Sequence, residues 1–241
     1  MNTIYENTFK RGEKKFVLNA SQFTRLSEAI KDKVVPDEYG RHTVLNIYCD
    51  NEYNESILNS ISHPVYKEKL RLRCYGVPDD ETTAFLEIKK KFKGIVYKRR
   101  IELPYADAWD YLCSKKSLDM SIQQAREIDY LKNRMELKPY VFLGYDRIAM
   151  LGADDPELRI TFDTNIRYRF DDLDLRLGDS GKLLIDEKNG DYVMEIKRAD
   201  SFPLWLTDIL TGEKIYSSSF SKVGNVYKHN YRRNGDRCLQ T

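Results

Sequence analysis

The sequence has few of the residues and segments that mark several common classes of protein. Its four cysteines lie far apart with no C-x-x-C pair, so a zinc ribbon, a dithiol redox motif or a dense disulfide framework is not expected. The three histidines are scattered, which argues against an imidazole metal site. No apolar run approaches the roughly 18 residues of a membrane helix, and the polar N-terminus lacks the apolar core of a secretory signal. We therefore expect a cytoplasmic protein without a membrane segment.

Established catalytic motifs are also missing from the sequence. There is no nucleophile elbow, zinc-protease helix, dinucleotide-binding glycine motif or kinase signature. The segment 178–182 resembles a phosphate-binding loop, but Arg176 stands where the first glycine of that loop would fall. Leu183 also replaces the serine or threonine that should follow the lysine. The motif search therefore identifies no covalent nucleophile.

The composition of the chain is that of a globular protein. Of its 241 residues, 41% are hydrophobic and 32% are charged, and the mean hydropathy is −0.62. Such a chain is not expected to be disordered. No repeat of fixed period, low-complexity segment or linker rich in proline, glycine and serine divides it. We therefore expect a single domain over residues 1–241.

Alternation of apolar and polar residues predicts about nine half-buried strands. The alternating segments are 9–18, 43–50, 65–75, 82–92, 95–103, 140–151, 157–169, 182–188 and 191–198. Helices are expected at 22–33, 104–115, 121–137 and 203–210. Ser21 is the expected N-cap of the first helix, and Pro104 and Pro203 suit the first turns of two others. Nine strands with four or five helices predict an α+β protein with a mostly antiparallel sheet.

The unusual feature of these strands is that their polar faces are mostly basic. Over residues 69–73, for example, two leucines alternate with Lys69, Arg71 and Arg73. The charged faces carry eleven cations and only four anions, although the net charge of the whole chain is just +2. The cations are Arg11, Lys15, Lys69, Arg71, Arg73, Lys89, Lys91, Arg147, Arg159, Arg167 and Lys197, and the anions are Glu13, Glu87, Asp163 and Glu195.

A basic strand face of this kind needs a counter-charge. Like charges directly opposite one another destabilise a sheet, and a bound polyanion would offset that repulsion. Arginine suits phosphate because its planar fork forms two parallel hydrogen bonds. If the sheet curls into a barrel, the basic faces line the bore, and the few carboxylates become candidates to hold a divalent cation. A charged face is also typical of a strand that faces solvent, and the alternation by itself leaves both interpretations open.

The motifs along the chain, taken in order, resemble those of a known family. Arg11-Gly-Glu13-Lys-Lys15 resembles the R-x-E-x-K opening of VTC-type polyphosphate polymerases, which are relatives of the CYTH and triphosphate tunnel metalloenzymes. The resemblance continues through Ile47–Asp50, Lys69–Arg73, Leu86–Lys89, Lys98–Arg100, Tyr145–Arg147, Leu158–Asp163, Val193–Lys197 and Ser221–Lys222. The ordered set covers nearly the whole chain.

This resemblance implies an α+β fold in which an antiparallel β tunnel or barrel with a basic interior is packed by helices. It implies ATP, inorganic triphosphate or polyphosphate as the partner and Mn²⁺ or Mg²⁺ as the cofactor. The implied catalytic residues, which contact phosphates, are Arg71, Arg73, Lys89, Arg147 and Arg159. The implied substrate-binding residues are Lys15, Tyr145, Lys197 and Lys222, and the implied metal-binding residues are Glu195, Glu13 and Glu87.

The activity that the resemblance implies is transfer of the γ-phosphate of ATP to a growing polyphosphate chain. Two alternatives stay open. In the first, water or the nucleotide itself is the acceptor, which gives a tripolyphosphatase, a nucleoside triphosphatase or a nucleotide cyclase. In the second, the protein is a non-catalytic module that binds polyphosphate. Nucleic acid is not an expected partner, because a narrow tunnel would not admit a duplex. The sequence contains neither the SPX domain nor the membrane region of eukaryotic relatives, so a stand-alone catalytic domain is expected.

Overall fold

The computed structural model describes residues 12–62, 64–93, 95–185, 191–199 and 201–238, with side chains as far as residue 230. Arg11 of the first motif and the strand ends predicted at 9–11 and 186–188 lie outside the described residues. None of the described helices combines the length and the apolar character that crossing a membrane requires.

Among the described residues, nine strands form, and each overlaps a segment that the alternation predicts. They are β1 (Gly12–Leu18), β2 (Val34–Asp50), β3 (Tyr66–Tyr75), β4 (Thr83–Phe92), β5 (Ile95–Pro104), β6 (Lys138–Gly152), β7 (Arg159–Arg169), β8 (Lys182–Ile185) and β9 (Tyr192–Arg198). The hydrogen-bonded order is β1-β9-β7-β6-β2-β3-β4-β5, with β8 paired to β7. The pairs β1–β9, β3–β4, β4–β5, β7–β8 and β7–β9 are antiparallel. The predicted antiparallel α+β class is confirmed.

Six α-helices accompany the described strands, and two of them were not predicted. The helices are α1 (Ala20–Ile30), α2 (Glu55–Ile61), α3 (Tyr105–Leu112), α4 (Gln123–Arg134), α5 (Leu204–Gly212) and α6 (Lys222–Cys238). The short α2 and the long, mostly polar α6 lie outside the predicted segments. Ser21 is wrong as the cap of α1, because Asn19 and Gln22 form a reciprocal capping box there. Pro104 and Pro203 stand at the N-cap positions, just before α3 and α5 begin.

The described residues divide into two compact units. Unit 1 comprises residues 45–143 and 169–179, and unit 2 comprises residues 12–44, 144–168 and 180–238. The long strands β2 and β6 each contribute one part to unit 1 and the other part to unit 2. The expectation of a single domain over the whole chain stays a prediction.

The core of unit 1 lies on the apolar face of β3 and β4. Leu70 and Leu72 of β3 and Leu86 and Ile88 of β4 are completely buried, and they belong to one cluster with residues of α3 and α4. The register places Leu70 opposite Ile88 and Leu72 opposite Leu86. Because successive side chains of a strand point to opposite faces, the charged residues between them lie on the other face.

The core of unit 2 is built in the same way on β1, β9 and β7. Phe16, Met194, Ile196, Ile160 and Phe162 are buried in one cluster with residues of α1 and α5. The register aligns these residues across the three strands. The alternate residues of the same strands, which include most of their charged side chains, therefore share the opposite face.

Asp50, at the end of β2, holds the first turn of α2. Its buried carboxylate accepts hydrogen bonds from the backbone N–H groups of Ser56 (2.9 Å, to Oδ1) and Ile57 (3.0 Å, to Oδ2). The first amides of a helix have no intrahelical partner, so this carboxylate satisfies groups that would otherwise be buried without one. Asp50 belongs to the motif 47–50, and the structure gives it a structural role.

Replacing this cap should destabilise unit 1. We expect Asp50→Ala to lower the free energy of unfolding by about 1–2 kcal/mol, because the amides of α2 lose their acceptor. Urea denaturation followed by circular dichroism measures the change. The exposed Glu52 is a matched control, and Glu52→Ala should stay within about 0.5 kcal/mol of the natural protein. Equal stability of the two variants would contradict the capping role.

Candidate functional site

A buried carboxylate, Glu87, lies at the centre of the charged face of unit 1. It is 2% exposed, and its two oxygens contact three cations from β3 and β5. Arg71 Nε donates to Oε2 at 2.6 Å, and Lys98 Nζ lies 2.7 Å from Oε1. Arg73 Nε lies 3.8 Å from Oε2. We call these four residues the Glu87 cluster.

The charge state of Glu87 follows from these contacts. Burial by itself would raise the pKa of the carboxyl group, but Arg71, Arg73 and Lys98 outweigh it and hold the pKa at about 2. Glu87 is therefore ionised at neutral pH. One anion faces three cations, so the cluster keeps an excess of positive charge. The assignment of Glu87 to a metal stays a prediction, and its contacts are those of a counter-ion.

Two polar residues of β2 fix the arginines of this cluster. Arg71 Nη1 donates to the hydroxyl of Tyr48 at 3.2 Å, and Arg73 Nε donates to Oδ1 of the buried Asn46 at 3.1 Å. Burial would raise the pKa of Tyr48, but Arg71, Lys69 and Arg73 lower it to about 8. The lowered pKa of Tyr48 reflects the positive charge of the side chains around it.

Lys89, the remaining phosphate-contacting residue expected in unit 1, lies beside the cluster in the sheet. The register places it opposite Lys69 on one side and opposite Lys98 on the other. A cross-strand row of three lysines concentrates positive charge on this face.

In unit 2 the corresponding buried carboxylate is Asp163, which the sequence places on the charged face of β7 but which is not among the site residues that the resemblance implies. It is completely buried, and it binds Arg147 through two parallel hydrogen bonds: Nε to Oδ1 at 2.7 Å and Nη2 to Oδ2 at 2.8 Å. Lys222, the first residue of α6, places its Nζ 2.5 Å from Oδ2. Asp163 therefore fixes two of the predicted phosphate ligands at once.

Glu195 on β9 binds a second set of cations in unit 2. Its Oε1 accepts hydrogen bonds from Lys15 Nζ at 2.9 Å and from Lys222 Nζ at 3.2 Å, and Lys197 Nζ lies 3.4 Å from its Oε2. Lys15 Nζ also lies 3.4 Å from Glu13. Lys222 thus bridges Asp163 and Glu195. We call Asp163, Glu195 and the cations that contact them the Asp163–Glu195 cluster.

The pKa values in this cluster favour the charged forms. Burial would raise the pKa of both carboxyl groups, but Lys222 is the strongest of the cations that hold the pKa of Asp163 and of Glu195 below the usual values. Burial would lower the pKa of Lys222, and the two carboxylates raise it instead. The two carboxylates keep Lys222 protonated, and Lys222 in turn keeps the two carboxylates ionised.

Tyr145 forms an aromatic surface under the cations of this cluster. The guanidinium of Arg147 lies 5.2 Å from the centre of its ring, and Lys222 Nζ lies 4.9 Å from it. Both distances are those of cation–π contacts. The buried ring therefore positions the same two cations that Asp163 binds.

Arg159 lies on the charged face of β7 but outside the contacts of the cluster. Its side chain is 44% exposed, and its Nη2 donates to Asp37 Oδ2 at 3.1 Å. The register places it opposite Lys197 of β9. Arg159 is thus the most accessible of the arginines that the sequence predicted to contact phosphate.

Most of the predicted residues come together in the two clusters. Unit 1 joins Arg71, Arg73 and Glu87, and unit 2 joins Lys15, Tyr145, Arg147, Glu195, Lys197 and Lys222, with Glu13 beside Lys15. Sequence reasoning missed Asn46, Tyr48 and Lys98 as site residues, and it counted Asp163 among the carboxylates of the charged faces without assigning it a specific role. The alternation of Asp163 with Arg159 identified the face of β7 on which it lies, but not the cations that it binds. Within the described residues, no group of three or more His, Cys, Asp or Glu side chains could hold a metal ion.

The ion pairs of Glu87 should make the stability of the protein depend on pH. Because the pKa falls from 4.5 to about 2 on folding, the ionised group stabilises the fold at neutral pH. That contribution is present above the unfolded pKa and is lost as the pH falls through the folded pKa. We expect Glu87→Gln to lower the free energy of unfolding by about 3 kcal/mol at pH 7. The difference should shrink below about pH 4.5, as measured by urea titration. A difference that stays constant down to about pH 3 would contradict the pairing.

The resemblance of the motifs is confirmed by comparison with protein families. A family model described as the VTC domain matches residues 10–231. No curated protein sequence matches the chain significantly.

Solved structures with a similar fold include a protein from Bacillus halodurans that is provisionally named an adenylate cyclase. It has 15% identity and a TM-score of 0.52, and the match covers 87% of this chain and 92% of that one. A provisionally named adenylate cyclase from Vibrio parahaemolyticus has 9% identity and a TM-score of 0.47, with 92% and 99% covered. A provisionally named adenylyl cyclase from Hippeastrum, described as having a dominant triphosphatase activity, has 17% identity and a TM-score of 0.45, with 88% and 92% covered.

The first of these similarities establishes a shared fold, and the family match extends over nearly all of the sequence. The chain belongs to the VTC domain family.

Proposed function

We propose that the protein is a metal-dependent polyphosphate polymerase that transfers the γ-phosphate of ATP to a growing polyphosphate chain. The observation that carries the proposal is that each unit contains a charged sheet face on which buried carboxylates fix a larger number of cations. Glu87 contacts three cations in unit 1. Asp163 and Glu195 together contact four in unit 2.

The geometry of Arg147 supports binding of phosphate. Its two bonds to Asp163 use two of the five N–H groups of a guanidinium, and they fix the plane of the fork. A fork held in this way loses little conformational entropy when it binds an oxyanion. Arg71 is held similarly by Glu87 and Tyr48. Such arginines are well suited to bind phosphoryl oxygens.

The reaction needs positioning and charge neutralisation more than a covalent nucleophile. A terminal oxygen of the bound polyphosphate attacks the γ-phosphorus of ATP. The bond from that phosphorus to the β,γ-bridging oxygen breaks, and ADP leaves with the electron pair. The role of the clustered cations is to hold the two polyanions together and to stabilise the charge that builds up on the transferred phosphoryl group and on ADP.

The carboxylates of unit 2 are suited to a divalent cation. Glu195 is buried and held ionised, and oxygen donors are the preferred ligands of Mg²⁺ and Mn²⁺. Glu195 would hold the metal, with Glu13 as a weaker candidate beside Lys15. One or two carboxylates are enough, because Mg²⁺ in such sites also binds substrate phosphates and water. The metal would neutralise charge on the phosphate oxygens.

The acceptor distinguishes this proposal from its alternatives. The Hippeastrum protein is described as a triphosphatase, and the Bacillus protein is provisionally named a cyclase. If water replaced the polyphosphate chain as acceptor, the same clusters would serve a hydrolase. If no phosphoryl transfer takes place, the same clusters would serve a module that only binds polyphosphate.

Analysis of the products tests the proposal. We expect purified protein incubated with ATP and Mn²⁺ or Mg²⁺ to form ADP and a ladder of polyphosphate chains, visible by gel electrophoresis. Excess EDTA should abolish the ladder. Release of orthophosphate without a ladder would replace the polymerase with a triphosphatase, and formation of cyclic AMP would replace it with a cyclase. Tight binding of polyphosphate without turnover would leave only the binding module.

Removal of the exposed Arg159 tests the proposed phosphate-binding face without breaking the ion pairs of the two clusters. We expect Arg159→Gln to lower kcat/KM for ATP by roughly 10- to 100-fold, because a charge-assisted hydrogen bond is lost. Arg25 is a matched control in the same unit. Its side chain is 54% exposed, it pairs with Glu213, and it lies on a helix away from the charged face. Arg25→Gln should retain full activity. Equal activity of the two variants would exclude Arg159 from the site.

A further inference from the structure

The hydroxyl group of Thr161, near the start of β7, is buried and has no hydrogen-bond partner among the described residues. The residue is 1% exposed. Buried polar groups in native proteins nearly always have a partner, because desolvation without compensation lowers stability. A ligand that binds at this position would supply the missing partner.

The position of Thr161 in the sheet is that of a site residue. Both of its neighbours in the sequence are in the apolar core of unit 2, so its own side chain lies on the charged face. The register places it directly opposite Glu195, which is itself opposite Lys15. The adjacent row on the same face pairs Arg159 with Lys197. Side chains directly opposite in a sheet have Cβ atoms about 5 Å apart, so Thr161 lies within the charged cluster.

A second threonine on the same strand shows that burial there does not by itself prevent hydrogen bonding. Thr164 is also 1% exposed, and its hydroxyl donates to the carbonyl oxygen of Asp191 at 3.1 Å. The hydroxyl of Thr164 therefore has a protein partner, whereas that of Thr161 has none among the described residues. Only Thr161 lies in register with Glu195.

We propose that Thr161 is a further substrate-binding residue, whose hydroxyl donates a hydrogen bond to a phosphoryl oxygen of bound triphosphate or polyphosphate. The proposal rests on the proposed function, since it takes the ligand of this face to be a chain of phosphates. A threonine hydroxyl is a neutral donor that rotates to meet its acceptor. Arg159 and Lys197, one row away, would attract the anion to the position where the hydroxyl can reach it.

The test is isothermal titration of the protein with sodium tripolyphosphate, once in EDTA and once in excess MgCl₂. We expect Thr161→Val to weaken binding about tenfold in both conditions, as loss of one hydrogen bond to a charged group predicts. Its melting temperature should equal or exceed that of the natural protein, because valine has nearly the same shape and removes an unsatisfied hydroxyl. Thr161→Ser keeps the hydroxyl and should retain most of the affinity.

Thr164→Val is the matched control, and it should show the opposite pattern. It removes a hydroxyl that has a partner and leaves the carbonyl of Asp191 without its donor, so the melting temperature should fall. Binding of tripolyphosphate by the folded variant should be unchanged. The two substitutions thus separate a ligand contact from a structural hydrogen bond.

Two results would overturn the inference while the proposed function stands. One is unchanged tripolyphosphate affinity of Thr161→Val. The other is a loss of affinity confined to the MgCl₂ condition, which would mean that the hydroxyl acts through water held by the metal. If the natural protein binds no tripolyphosphate in either condition, the proposed function itself fails, and this inference fails with it.

Discussion

The ion pairs between buried carboxylates and clustered cations are the interaction on which the rest of this structure depends. Burial of a charge costs several kcal/mol unless it is paired and hydrogen-bonded. Glu87 and Asp163 meet that condition through short contacts with arginine and lysine. These pairs allow strands to carry basic residues on one face while the other face forms the apolar core. Removing Glu87 would leave three cations close together without this counter-ion, and removing Asp163 would take the shared counter-ion from Arg147 and Lys222.

The same pairs prepare the protein for a polyanionic ligand. In each unit the cations outnumber the carboxylates they contact, so positive charge remains after the internal pairs have formed. The internal hydrogen bonds also fix the guanidinium and ammonium groups before a ligand binds, which lowers the entropy cost of binding. Tyr145 adds a rigid surface beneath Arg147 and Lys222. Membership of the VTC domain family is consistent with this chemistry.

Much of the fold could be predicted from the sequence, because the nine strands have a regular alternation that follows from their one-sided burial. The strand β2 begins earlier than predicted. Pro36 and Gly40 interrupt the alternation in its first part, so the pattern did not reveal that part as a strand. The helix α2 is too short to show a helical period, and α6 is mostly polar, so only the family resemblance pointed to Lys222. The partners of Glu87 and Asp163 could not be predicted either, since they depend on the register between strands, which alternation within one strand does not determine.

A crystal of the protein soaked with tripolyphosphate and Mn²⁺ tests the central claim most directly. The account predicts phosphoryl oxygens within hydrogen-bond distance of Arg147 and Lys222, with Asp163 still bound to both, and an anomalous signal from the metal beside Glu195. Tripolyphosphate bound only at other surfaces, while both clusters keep their internal ion pairs and contact no phosphate, would contradict it.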